Sequence, residues 1–166
     1  MIDGLAAAEI ARHEAGHAVA AWAMGRTVVS VRMWWEDGGG LEGFTPFYAG
    51  VTTHERKRLH RRTDGVILLA PSAGGLFAAD RGPCLADFQE VDRLLAGIPA
   101  SPERRQEIRQ EWLDEARALA LEHDAAIELV AGILRARLPD AEVTGSFINA
   151  LLGPPPRRRR RFVTNS

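Results

Sequence analysis

The five residues His13-Glu14-Ala15-Gly16-His17 form an H-E-x-x-H pattern near the N-terminus. In an α-helix, residues i and i+4 lie on the same face, so both imidazoles can point at one metal ion. Glu14 is adjacent to the first histidine, where it can accept a proton from a water beside the ion more easily than bind the ion itself. The pattern therefore predicts a metal site with Glu14 as general base.

The residues that flank this pattern predict one helix that is buried on every side. Apolar residues fill most positions from Leu5 to Met24 and are not confined to a single stripe. Asp3 is a candidate N-cap and Gly25 a candidate stop for the helix. A buried polar group without a partner costs about 1–3 kcal/mol, so histidines in such a helix need partners. A metal ion is one such partner. A chance pattern, with the histidines satisfied by solvent or by the core, is the other interpretation.

The composition restricts the kind of metal site. The chain has 166 residues, of which 46% are apolar and 26% charged, as in a globular protein with one sizeable core. Its one cysteine, Cys84, excludes an internal disulfide and a cysteine-rich zinc ribbon. Histidines and carboxylates must therefore hold any zinc ion.

No stretch of the sequence has the features of a membrane span or of a secretory leader. The longest apolar run, from Val66 to Ala79, is shorter than the roughly 18 residues that a span needs. The first residues lack a basic segment followed by an uncharged apolar one. We therefore expect a cytoplasmic protein without a membrane segment, in which Val66–Ala79 is a core helix.

A β-hairpin is predicted directly after the first helix. Residues 26–35 are rich in β-branched and aromatic side chains, as in a strand, and residues 36–40 form a glycine-rich turn. Residues 43–48 predict a second strand, which Pro46 restricts to the edge of a sheet. An edge strand can accept an extended peptide as an additional strand. An ordinary hairpin that covers the core explains the same residues.

The remaining segments predict helices that support the core. A capping box at residues 52–55 opens one helix, which Pro71 is expected to break or kink before it resumes. His54 and His60 lie among basic residues in that helix, and we expect both to be solvated. A short helix at residues 85–95 precedes three more: Pro102–His123 with Ser101 as cap, Ala125–Leu138, and Gly145–Leu152 with Thr144 as cap. The predicted fold class is mainly α with a small β-hairpin or sheet.

Asp87 is the candidate for a third metal ligand. At about 100° per residue, it falls within the apolar sector of its helix, whereas Glu90 and Asp92 lie at the margins of that sector. The sector consists of Cys84, Phe88, Val91, Leu94, Leu95 and Ile98. A carboxylate that points into a core needs compensation, which a metal with two histidine ligands supplies. A helix N-cap explains an aspartate near a helix start equally well.

Residues 153–166 form a Pro- and Arg-rich tail after the last predicted helix. Three prolines followed by the run Arg157–Arg161 indicate a disordered, linker-like segment. Five arginines could contact nucleic acid or an acidic membrane, but no aromatic residues alternate with them. A solvated tail is the simpler interpretation, so the folded domain is expected to comprise residues 1–152.

Residues 13–18 resemble the zinc motif of FtsH-type metalloprotease domains, in which H-E-A-G-H-A is typical. Residues 25–31 resemble the strand after that family's zinc helix, and Gly43-Phe44-Thr45 resembles its G-Y-T edge strand. Leu85-Ala86-Asp87-Phe88 resembles the segment that carries the family's third zinc ligand. The resemblance covers nearly all of residues 5–152.

This resemblance implies an FtsH-peptidase-like zincin in which His13, His17 and Asp87 hold Zn²⁺ and Glu14 is the catalytic base. The family's protease domain is mainly helical, works behind a membrane-anchored ATPase and degrades proteins as a hexamer. No G-x-x-x-x-G-K-[ST] phosphate loop occurs in this chain. The expected function is therefore that of a stand-alone zinc metalloendopeptidase that hydrolyses peptide bonds in unfolded or flexible segments.

The resemblance also implies partners for such an enzyme. Besides a protein or peptide substrate, these are a separate ATPase or further copies of the chain. Gly74 and Gly75 stand where the family tends to carry carboxylates, which is a departure from its pattern. A catalytically degenerate domain of the same fold, kept as a binding or regulatory module, is the alternative function.

Overall fold

The computed structural model describes residues 4–37, 41–48, 54–73 and 84–156. Within these ranges, most residues belong to six helices, which five short strands accompany. The helices are α1 (Gly4–Ala23), α2 (His54–Ala73), α3 (Cys84–Ala96), α4 (Pro102–Glu122), α5 (Asp124–Ala136) and α6 (Gly145–Leu152). The strands are β1 (Thr27–Val28), β2 (Ser30–Trp35), β3 (Leu41–Phe44), β4 (Phe47–Tyr48) and β5 (Ala141–Thr144). The expected fold class, mainly α with a small sheet, is confirmed.

α1 is the central helix, and its second half is buried on almost every side. From Ala11 to Ala23 every residue except Arg12 is buried. α5 and α2 pack along it, and β2 and β3 cover another side. The helix ends at the glycine that the sequence indicates. Gly25 adopts a φ of +70°, and its N–H donates to the Trp22 carbonyl at 2.9 Å. The N–H of the next residue, Arg26, donates to the Ala21 carbonyl at 2.8 Å. This paired arrangement is a Schellman cap, which favours glycine.

The larger sheet has three antiparallel strands in the order β3-β2-β5, of which the sequence predicts two. The expected hairpin corresponds to β2 and β3. β5, which the sequence analysis missed, pairs with the other side of β2. Val31 and Met33 of β2 are buried in the core together with Ala141 and Val143 of β5.

The segment that was expected to be one strand at residues 43–48 is divided into two. β3 ends at Phe44, whereas β4 begins at Phe47 and pairs with β1 in a separate two-stranded sheet. Pro46 lies between them and has no N–H to contribute to a ladder, but its carbonyl accepts a hydrogen bond from the Val29 N–H at 3.0 Å. The expectation of an edge strand is therefore confirmed only for residues 43 and 44, which belong to β3 at the edge of the three-stranded sheet in the described residues, whereas Pro46 lies in neither strand.

α2 continues through Pro71 to Ala73, so the break expected at this proline does not occur there. Gly16 of α1 lies against the proline: a Cβ atom on this glycine would come 3.2 Å from Pro71 Cα and Cγ. The close approach of the two helices explains why α1 contains a glycine in its interior. The part of the predicted core helix that the structure describes is largely buried, at Val66, Ile67, Leu69 and Ala70.

The two predicted caps of the later helices are confirmed. Ser101 Oγ accepts a hydrogen bond from the Arg104 N–H at 3.2 Å, and Thr144 Oγ1 accepts one from the Phe147 N–H at 3.3 Å. Both bonds satisfy one of the N–H groups that a helix start leaves without a helical partner. None of the helices in the described ranges is both long enough and apolar enough to cross a membrane.

Some sequence-based expectations have a different outcome or lie outside the described residues. His60 was expected to be solvated, but it is half-buried, and its Nδ1 atom is buried without a hydrogen-bond partner. It packs close to the half-buried ion pair of Arg26 and Asp64, which explains why it is not free in solvent. The N-cap at Asp3, the start of the capping box, the His54 side chain and the run Arg157–Arg161 all lie outside the described residues.

Gly145 provides a test of this architecture, because it begins α6 directly against the backbone between β1 and β2. A Cβ atom on Gly145 would lie 1.8 Å from the Val28 carbonyl oxygen. We expect Gly145→Ala to lower the free energy of unfolding by about 1–3 kcal/mol or more, because backbone atoms must move to admit the methyl group. Urea denaturation followed by circular dichroism measures this change. Gly132→Ala is the control, since the nearest atom to its Cβ, on Arg135, is 4.0 Å away. Equal stability of the two variants would contradict this packing.

Candidate metal centre

The three polar side chains of the H-E-x-x-H pattern are buried in the largely apolar α1. His13, Glu14 and His17 are only 3%, 5% and 6% exposed. The two imidazole rings have centroids 4.7 Å apart and planes at 88° to each other. Their Nε2 atoms are separated by 3.1 Å. The helix therefore directs both rings at one point.

α3 brings Asp87 to the same point. Its Oδ2 atom lies 3.1 Å from Nε2 of His17 and 3.2 Å from Nε2 of His13. The interpretation of Asp87 as an N-cap is wrong, because α3 already begins at Cys84 and Asp87 lies inside its first turn. The structure thus brings together three residues that each offer one atom to a metal ion.

The spacing of these three atoms fits a small divalent cation. A tetrahedral zinc ion with bonds of about 2.0–2.1 Å to nitrogen and oxygen separates its ligand atoms by about 3.3 Å. The observed separations are 3.1, 3.1 and 3.2 Å. Two histidines and one carboxylate are also a ligand set that catalytic zinc sites use. The residues that are present therefore fit the ion that the resemblance implies.

Charge interactions within this cluster shift two pKa values. Burial lowers the pKa of His17, but Asp87, Glu14 and the Ile67 carbonyl together outweigh burial and leave this pKa above its ordinary value. Burial likewise opposes the charge of Asp87, but His17 and His13 lower the pKa of this carboxyl group to about 2. Asp87 is therefore an anion at neutral pH, which is the form that binds a cation.

The main-chain carbonyl of Ile67 orients the ring of His17. Its oxygen lies 3.1 Å from Nδ1 of the buried imidazole. Because a carbonyl oxygen only accepts hydrogen bonds, Nδ1 carries the proton of this contact, and Nε2 offers its lone pair once it has lost the proton that it shares with the Asp87 carboxylate. This is the tautomer that metal binding through Nε2 requires.

Cys84 makes the corresponding contact with the other histidine. Its Sγ atom lies 3.6 Å from Nδ1 of His13. Burial and the negative charge of Asp87 raise the pKa of the thiol to about 11, so the group stays neutral at physiological pH. The sequence pattern of α3 indicates Cys84 only as a member of the apolar sector that includes Asp87. Its contact with His13 joins residues 71 positions apart, which no local pattern reveals.

Glu14 is held beside the cluster without belonging to the set of ligand atoms. The Thr45 hydroxyl donates a hydrogen bond to Glu14 Oε2 at 2.6 Å, and Thr45 itself is only 8% exposed. Gly43 lies against the same side chain, because a Cβ atom there would come 2.6 Å from Glu14 Oε1. β3 and the residue after it thus fix the Glu14 carboxylate at the border of the cleft. Sequence reasoning did not single out Thr45.

A cleft of about 900 Å³ opens onto the cluster. α1, β3 and the start of α3 form its walls. Phe44 and Leu85 are 57% and 52% exposed, on two different walls of the cleft. The apolar side chains that line it are Ile10, Leu41, Phe44, Phe47, Leu68 and Leu85. The cleft is large enough to admit several residues of an extended peptide.

The other two carboxylates of α3 do not take part in this site. Glu90 forms an ion pair with Arg93 at 2.7 Å, and Asp92 forms one with Arg109 at 3.2 Å. Neither lines the cleft. The structure therefore selects Asp87 among the three acidic residues that the sequence offers on this helix.

The comparisons with known proteins do not identify a family for this chain. Neither a scan against models of protein families nor a search of curated proteins finds a match to the sequence. The resemblance to FtsH-type metalloprotease domains therefore stays a prediction, and the argument for a function depends on the geometry of the cluster and the cleft.

Asp87 can be tested directly as a ligand. We expect Asp87→Asn to fold but to lose more than the roughly 10–100-fold in zinc affinity that removal of a supporting residue costs, because one of three protein ligands is weakened. Titration against a competing chelator measures the affinity. Glu90→Gln and Asp92→Asn remove the same charge from the same helix and should bind zinc like the parent. Asp87 is not a ligand if Asp87→Asn binds zinc as tightly as these two controls.

Proposed function

We propose that this protein is a zinc-dependent metalloendopeptidase that hydrolyses peptide bonds in unfolded or flexible protein segments. The observation that carries the proposal is the convergence of His13 Nε2, His17 Nε2 and Asp87 Oδ2 within 3.2 Å of one another. Glu14 lies next to the first of these ligands, and an open cleft borders all four residues. Ligands, base and substrate space are the three components that a metal-dependent hydrolase requires.

Each residue of the cluster has a separate task in this proposal. His13, His17 and Asp87 hold the ion, which when bound makes water nucleophilic near neutral pH and polarises the scissile carbonyl group. Glu14 accepts the proton of the attacking water and then delivers it to the leaving amine. Thr45 holds one oxygen of this carboxylate, which leaves Oε1 for proton transfer.

The outer edge of β3, which pairs with no other strand in the described residues, supports an extended peptide as the substrate. The Gly145 N–H donates to the Val29 carbonyl, which fixes the alternation of hydrogen bonds across β2. By this alternation Phe44 bonds to β2 opposite Arg32, whereas Gly43 directs its N–H and C=O groups toward the outer edge. That edge borders the cleft. A peptide paired with Gly43 would therefore pass beside the catalytic base.

The opposite edge of the sheet is less suited to a peptide. On β5 the same alternation turns the main-chain groups of Glu142 outward. Arg137 Nη1 already donates to the Glu142 carbonyl at 2.7 Å. A side chain that occupies an edge carbonyl discourages strand addition. β3 is therefore the edge that we assign to the substrate.

A catalytically inactive binding or regulatory module is the second candidate, and one observation favours it. The cluster satisfies its own polar groups, since Asp87 contacts both histidines and His17 also bonds to Ile67. Such a network of buried groups is stable without an ion. The two candidates differ in metal content, because the enzyme requires one zinc ion for each chain.

The remaining expectations from the resemblance are part of the same proposal. Unfolded or flexible segments suit an open cleft that holds an extended chain, whereas a folded substrate would first need to be unfolded by a separate ATPase. Assembly of several copies of the chain and a cytoplasmic location also stay proposals. Pull-down with ATPases and measurement of mass in solution address the partners.

Glu14→Gln tests whether the carboxylate is the base. The amide keeps the size of the side chain but cannot accept a proton, so we expect zinc content to stay at one ion per chain while kcat falls by at least about 10²–10⁴-fold. Metal analysis and cleavage of an unfolded, fluorophore-labelled protein are measured on the same preparations. Loss of zinc in Glu14→Gln would make Glu14 a ligand. A parent chain that binds no zinc and cleaves nothing would favour the binding module.

Backbone methylation of a peptide substrate tests the assignment of the β3 edge. Strand addition uses every second N–H of the peptide, so N-methyl groups at alternate positions should raise KM strongly, whereas those at the intervening positions should not. A series of peptides with one N-methyl group each, outside the scissile bond, provides its own matched controls. A uniform KM across the series would contradict strand addition at β3 and leave this strand with a structural role alone.

A further inference from the structure

We propose that Pro71 is a positioning residue for the metal ligand His17, because the proline leaves the Ile67 carbonyl free to orient the imidazole. Pro71 does not touch the cluster atoms and acts through this carbonyl. The proposal rests on the proposed function only in that His17 binds zinc. The orientation of the ring can be measured without metal and without substrate.

The hydrogen-bond pattern of α2 lacks one donor at Pro71. In an α-helix, the N–H of residue i donates to the carbonyl of residue i−4. Residue 71 would therefore donate to Ile67, but a proline has no N–H. α2 nevertheless continues past this position to Ala73. The Ile67 carbonyl is thus left without its regular helical donor in the middle of a buried helix.

The Ile67 carbonyl accepts a hydrogen bond from His17 instead. Its oxygen lies 3.1 Å from His17 Nδ1, and the bond is buried. Ile67 itself is fully buried, so water does not compete at this position. Buried carbonyl groups are almost always paired, and the imidazole N–H supplies the partner that the proline removes. The helical proline therefore removes one hydrogen-bond donor from the Ile67 carbonyl, and the buried histidine supplies another.

α1 and α2 are in close contact beside this hydrogen bond. Ile67 and Pro71 are four residues apart and so lie on one face of α2, and Gly16 directly precedes His17. A Cβ atom on Gly16 would come 3.2 Å from the Cα and Cγ atoms of Pro71. The glycine thus lets the proline ring pack against the backbone of α1. This contact sets the distance between the two helices at the point where the carbonyl meets the imidazole.

The experiment replaces the proline and measures zinc affinity and thermal stability together. Pro71→Ala restores an N–H that competes with His17 for the Ile67 carbonyl. We expect zinc affinity to fall by about 10–100-fold, as for loss of a residue that orients a ligand. The Tm of the metal-free protein should stay equal or rise, because alanine favours a helix interior over proline. A merely structural proline would not give these opposite changes.

Pro102→Ala is the matched control for this variant. Pro102 begins α4 at a position where no helical N–H bond is lost, and it does not line the cleft. Its zinc affinity should equal that of the parent. Unchanged zinc affinity in Pro71→Ala overturns the proposal, and so does an affinity loss that merely parallels a fall in Tm.

A second measurement covers the case in which Pro71→Ala does not fold or the parent binds no zinc. Nitrogen-15 NMR of the metal-free parent, at alkaline pH where the ring is neutral, reports which nitrogen of His17 carries the proton. Asp87 competes for this proton at Nε2 in both proteins, so we expect a larger fraction with the proton on Nδ1 in the parent than in Pro71→Ala. Identical tautomer populations in the two proteins overturn the proposal, as does a larger Nδ1-protonated fraction in Pro71→Ala than in the parent. Failure to bind zinc alone counts against the proposed function, not against this orientation.

Discussion

His13, Glu14 and His17 are buried in α1, and the other buried residues of this helix are apolar. Each of the three polar side chains therefore needs a hydrogen-bond partner from elsewhere in the protein. An unpaired polar group at such a position costs about 1–3 kcal/mol. Three separate parts of the chain supply the partners: Ile67 from α2, Asp87 from α3, and Thr45 from the end of β3. The placement of these elements around α1 is therefore tied to the chemistry of the cluster.

Sequence reasoning predicts the components of the site that follow from local periodicity. The spacing of His13 and His17 places them on one helix face, and the position of Asp87 within an apolar sector directs it inward. Thr45 and Cys84 escape such reasoning, because their contacts with Glu14 and His13 join residues 31 and 71 positions apart. A hydroxyl or thiol that supports a ligand has no spacing of its own to reveal it.

The fold shows the same division between local and non-local information. The helices and two caps were predictable, since periodicity and capping residues act within a few positions. β5 was not, because four residues form a strand only through pairing with β2, more than a hundred positions earlier. The break expected at Pro71 is absent for a related reason. Proline in a helix interior costs about 3 kcal/mol in isolation, but burial of its neighbours and contact with Gly16 offset this cost.

If the protein binds zinc as we propose, the contacts within the cluster also set the conditions for metal binding. Asp87 already holds the histidines by hydrogen bonds, so an ion must displace these bonds and any shared proton before it can bind. The imidazole rings can keep their orientation when an ion binds. Ile67 and Cys84 contact the Nδ1 atoms of the two rings, which face away from the point where the Nε2 atoms converge. Contacts on the far sides make the loss of the inner hydrogen bonds tolerable, since the rings stay directed at the same point. Zinc affinity should therefore depend on residues that never touch the ion.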